Sequence, residues 1–286
     1  MVLEQLYAVD FLRRKPGFAF VLGFSYAVIG IAFALFIFPE SPSLVAVAIT
    51  TILLMPTLFK LISKEELEES GESHLNFGRL YHDNWHLIKV YLFIMMGTEL
   101  AFTLFSLMFH PAAVSHIFRA QIAIQKGYAG GLYFSTPLFF DILLNNLKIF
   151  VICFLISILL GNGSIFLLVW NSSVWGTIFG DLARTAATIA GKNPFIYYTL
   201  IFISTLPHGI LEILAYVMAT IAGSMISQTI YKEQAFSDKM SIVLIYNLTL
   251  FWVGLMLLVL GALVETYVLG NLEVYRMIIL QSYGGG

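Results

Sequence analysis

The stretch STLPHGILEILAY, Ser204–Tyr216, sets a proline, a histidine and a glutamate inside a continuous apolar run. That run reaches from Phe195 to Ile226. A straight helix of its length would measure about 48 Å, against a hydrocarbon core of about 30 Å. A break at Pro207 reconciles the two lengths, because proline removes one helical hydrogen bond and crowds the preceding turn. A second half-helix then begins at His208 or Gly209. Its first N–H groups are unpaired and carry partial positive charge, a place suited to a carboxylate. His208 and Glu212, at i and i+4, share one face of that half-helix.

Composition sets the solvent in which this stretch must be read. Of 286 residues, 59% are hydrophobic and 11% charged, against about 45–50% and about 25% in a soluble domain. So much apolar surface cannot be hidden in the core of one or two soluble domains of this length. The reading is an all-α polytopic transmembrane helix bundle, one membrane domain over residues 1–286, whose first partner is the lipid bilayer. A net charge of −2 excludes nucleic acid as a partner, and a single cysteine, Cys153, excludes an internal disulfide. The first apolar segment is too long for a signal-peptide h-region and is expected to remain as a span.

Segment lengths and loop charges predict about six spans. A helical hairpin occupies residues 17–62, with Pro56 as an expected kink. Residues 63–86, with six acids and three histidines, read as a charged cytoplasmic loop. A third span follows over 87–109, then a short amphipathic helix and a loop up to Pro137. Residues 138–269 hold the remaining spans. Within them, 171–190 is too polar to face lipid and is expected to re-enter or lie partly submerged. Lys and Arg bias favours an N-terminus and a C-terminus both in the cytoplasm, so the protein is placed in the cell membrane as a multi-pass chain.

Four carboxylates fall in or at the ends of these spans: Glu99, Asp141, Glu212 and Glu265. A charge at the bilayer centre costs at least about 2.5–3.5 kcal/mol, so each is expected to face protein or water. Asp141, Asn145 and Lys148 share a helix face by spacing, with Asn146 beside it. Asp141 is the candidate for the half-helix N-terminus at Pro207 and Gly209. The expected intramembrane cluster is therefore Asp141, Asn145, Asn146, His208, Glu212 and Glu265, with Glu99 and Lys148 secondary. Two uses fit it: hydrogen-bonded cross-linking between helices, or a site for a proton or small cation in a transporter or channel. His82 and His86 in HDNWH have the spacing of a metal pair, but no supporting third ligand, and read as a solvated loop. No hydrolase, zinc-protease or phosphate-loop motif occurs. The expectation is a non-enzyme with no cofactor, no metal and no catalytic residue.

Three segments carry a family resemblance: NNLKIFVICFLISILLGNGSIFLLVWNSSVWGTIFG from Asn145, PHGILEILAYVMATIAG from Pro207, and GALVETYV from Gly261. In order and content they resemble the stage II sporulation protein M family of integral membrane proteins, over roughly Asp141–Val268. The founding bacterial member belongs to a membrane complex that remodels peptidoglycan, with the hydrolase activity in its partners. The resemblance therefore implies a scaffold or complex subunit, with protein partners or a homo-oligomer. It supplies no catalytic residue and no substrate, and the wider family includes organisms that lack peptidoglycan.

Overall fold

In lipid each backbone N–H and C=O must be paired within the protein, and a helix does this inside one segment. The computed structural model describes residues 9–70, 77–127, 136–232 and 237–271, with 273 and 277. Every regular element among the described residues is helical. The elements are α1 (Val9–Arg14), α2 (Phe18–Ile37), α3 (Pro42–Ser70), α4 (Phe77–Met108), α5 (Pro111–Ile117) and α6 (Arg119–Gly127). They continue with α7 (Thr136–Leu160), α8 (Ile165–Ala190), α9 (Pro194–Lys232) and α10 (Asp238–Asn271). Among the described residues, 7 helices are long and apolar enough to cross a membrane: α2, α3, α4, α7, α8, α9 and α10. Large apolar side chains such as Phe36, Leu159, Trp252 and Met256 stand exposed on them, as lipid-facing residues do.

The seventh span is α8, which takes in the segment expected to re-enter. It is a full helix of 26 residues. Its polar side chains are turned onto protein: Asn171 donates to the Leu167 carbonyl, and Ser173 donates to Trp170 O and accepts from Gln121 of α6 at 3.1 Å. Arg184 donates to the carbonyls of Ser106 and Phe109 at the C-terminal end of α4 and is paired with Asp181. Polarity that lipid would reject is thus absorbed by α8's own carbonyls and by α4 and α6. The expectation of about six spans takes this polar segment as re-entrant or partly submerged, and so falls one short of the 7 helices long and apolar enough to cross.

The break at Pro207 is also corrected. Helix α9 runs unbroken for 39 residues with Pro207 inside it. Thr205 donates to the carbonyls of Ile201 and Phe202, and Ser204 to that of Leu200. At about 58 Å, α9 meets the length constraint by projecting beyond the hydrocarbon or tilting rather than by breaking.

The charged loop contracts as well. Helix α3 continues to Ser70 and α4 starts at Phe77; residues 71–76, including His74, lie outside the described residues. Near this end, Arg13 of α1 pairs with the buried Glu65 at 3.3 Å, and Lys64 bonds Asp10. Lys64 holds the exposed Asp10 carboxyl below its ordinary value of 3.8.

Packing fixes the directions. Gly176 and Gly180 of α8 lie against Glu99 and then Thr103–Leu107 of α4, so these helices run parallel. Asn146 meets Glu212 and Gly223 meets Phe154–Ile158, so α7 and α9 are parallel too. Gly254 sits on Ala215–Met218 and Gly261 on His208–Glu212, which makes α9 and α10 antiparallel. Seven helices alternating in direction carry the start of α2 and the end of α10 to opposite faces of the bundle. Six spans would have placed both ends on one face.

Candidate functional site: an acid pair where three helices meet

Helix α9 is the central strut of the C-terminal half, with 78% of its most apolar window buried, while α7 and α10 lie at the periphery with 22% and 33%. The three meet at Glu212. Gly261 lets α10 come close: a Cβ there would stand 3.3 Å from the Glu212 Cγ and 3.4 Å from the Leu211 Cβ. From α7, the Asn146 amide donates to Glu212 Oε1 at 2.9 Å, and both residues are buried. One turn beyond Gly261, the Glu265 carboxyl lies beside that of Glu212. Below Glu212 on the same face of α9 lies His208, also buried, with no partner for its Nδ1 among the described residues.

Of the six residues expected to cluster, Asn146 and Glu212 join through a hydrogen bond with Glu265 beside them, and His208 lies one turn from Glu212 on α9. Asp141 is exposed, Asn145 only partly buried, and Lys148 exposed. Asp141 therefore does not occupy a half-helix N-terminus. No such terminus exists, because α9 is continuous past Pro207 and Gly209. Asn145 and Asn146 are about 100° apart on α7, and only the second turns toward α9. The sequence reading missed Gly261. Its signal was present in the spacing G-x-x-x-E, Gly261 to Glu265, which places a gap and an acid on one helix face.

Glu99 lies apart, buried in α4 among α8 and α9. Tyr198 of α9 approaches both it and the Thr103 hydroxyl, a neighbour across the bundle that helix spacing could not reveal. Beside it, between α3, α4 and α8, is a small cavity lined by Tyr91, Thr98, Ser172 and six apolar side chains including Leu58 and Met95. This cavity does not touch the acid pair. No group of three or more His, Cys, Asp or Glu able to hold a metal occurs among the described residues.

A family model described as stage II sporulation protein M matches residues 90–268. The match begins within α4 and ends in α10. It reaches some fifty residues before the point where the sequence resemblance began, and it contains the acid pair, Asn146, His208 and Glu99. No curated protein and no solved structure matches the chain.

Proposed function

The chain belongs to the stage II sporulation protein M family of membrane proteins, and from this premise we propose that it is a non-catalytic subunit or scaffold of a membrane complex. The observation that carries the reading is the closure of Asn146, Glu212 and Glu265 upon one another. Each gives its polarity to a neighbouring helix, so the triad ties α7 and α10 to the buried α9. Intramembrane hydrogen bonds contribute about 0.6 kcal/mol each on average, which suits a lock that holds a surface in shape for a partner.

Reconstituted in sealed vesicles, the full chain is expected to pass protons and small cations no faster than protein-free vesicles. A steady flux that Glu212→Gln abolishes would overturn the scaffold reading in favour of a proton or cation transporter.

The orientation that accompanies this reading follows from charge. Nine of the fifteen lysines and arginines (Arg13, Arg14, Lys15, Lys60, Lys64, Arg79, Lys89, Lys232 and Lys239) fall on the face where α2 begins. The positive-inside rule makes that face cytoplasmic and sends the C-terminal end of α10 outward. A C-terminal tag should react with a membrane-impermeant reagent on intact cells, whereas an N-terminal tag should react only after lysis. The reverse pattern, or two protected ends, would refute this orientation.

A further inference from the structure

We propose that Glu212, Glu265 and His208 form a proton-binding site at the junction of α7, α9 and α10, with one proton shared between the two carboxyl groups. The geometry supplies three parts. Gly261 removes the side chain that would hold α10 away from Glu212, and Glu265, one turn on, lies beside the opposing acid. Asn146 donates to Glu212 Oε1 at 2.9 Å. His208, one turn below and more than nine-tenths buried, keeps its Nδ1 unpartnered.

An amide nitrogen donor on one oxygen and an acid on the other define different chemistries. Asn146 steadies a carboxylate in either charge state. The acid–acid bond exists only while a proton is present, because two facing carboxylates repel and neither can donate. His208 provides the adjacent atom able to accept that proton, since a neutral imidazole carries one free lone pair. The other charged side chains of the contacting helix α7, Asp141 and Lys148, are exposed and leave the proton to these three residues. The ligand is a proton, and the inference stands whether or not the chain conducts ions.

Infrared difference spectroscopy on the full chain in vesicles at neutral pH tests it. The wild type should show the carbonyl stretch of a protonated carboxylic acid. Subtracting the spectrum of Glu212→Gln, or of Glu265→Gln, should reveal a lost band, because a glutamine amide donates to the remaining carboxylate and relieves it of the proton. Glutamine keeps the size and hydrogen-bonding reach of the original side chain, and Glu99→Gln serves as the control that leaves this difference band intact. A band that survives in both Gln variants, or disappears only in Glu99→Gln, overturns the proposal. The absence of any protonated-acid band does the same. None of these outcomes depends on a flux measurement, so failure here and failure of the scaffold reading are told apart.

Discussion

Gly97→Ala should leave little or no folded protein. A Cβ at position 97 would stand 2.1 Å from the carbonyl oxygen of Phe20 and 2.8 Å from the Phe24 nitrogen, both backbone atoms of α2. No rotamer change relieves a clash with backbone, so α2 and α4 must separate. Overpacking a well-packed contact usually costs about 1–3 kcal/mol, and this one lies at or above the top of that range. The facing contact repeats the constraint, since a Cβ on Gly23 would meet the Ile94 carbonyl at 2.3 Å. Size-exclusion of detergent-extracted protein should show loss of the monodisperse peak. Gly209→Ala is the companion: nothing lies within 4 Å of the place its added Cβ would take, and a mid-helix alanine gains roughly 0.5–1 kcal/mol over glycine. That variant should be at least as stable as the wild type. A wild-type peak for Gly97→Ala, or a collapse of Gly209→Ala, would contradict the packing described.

Glu212→Ala should lower stability by about 2–4 kcal/mol, read as a fall in the thermal midpoint of the purified protein. The substitution strands the Asn146 amide and the Glu265 carboxyl, and an unpaired buried polar group costs about 1–3 kcal/mol. It also opens a small void where α10 rests on the Glu212 stem. Glu212→Gln retains both shape and the bond from Asn146 and should keep most of the midpoint. Equal losses in the two variants would show that the carboxyl itself, rather than the closed hydrogen-bond chain, holds the junction together.

How much of this is legible in the sequence differs by element. The all-α membrane class follows from composition, and the lipid-facing hairpin of α2 and α3 follows from segment length. Helix α8 does not, because Asn171, Ser172, Ser173 and Arg184 look unsuited to lipid until α4 and α6 are known to cover them. The Pro207 break is not needed, because a helix longer than the hydrocarbon core can tilt or project beyond it instead of breaking. At the acid pair, the i, i+4 stacking of His208 and Glu212 is readable. Which of Asn145 and Asn146 faces α9 depends on the rotational phase of α7, and that is set by tertiary packing alone.

The contact between Arg184 and the end of α4 has a bearing on how the chain is made. Of the seven apolar helices, α8 has the lowest mean hydropathy, 1.2 against 1.7–2.4 for the others. A segment so polar gains little by entering lipid alone as it leaves the ribosome. Its Arg184 finds carbonyl partners on Ser106 and Phe109, synthesised more than seventy residues earlier. Helix α4 must therefore already be waiting beside the insertion site when α8 emerges, and the order of synthesis becomes part of the folding mechanism. In nascent chains, removing α4 should release α8 to the aqueous side even though its own sequence is unchanged.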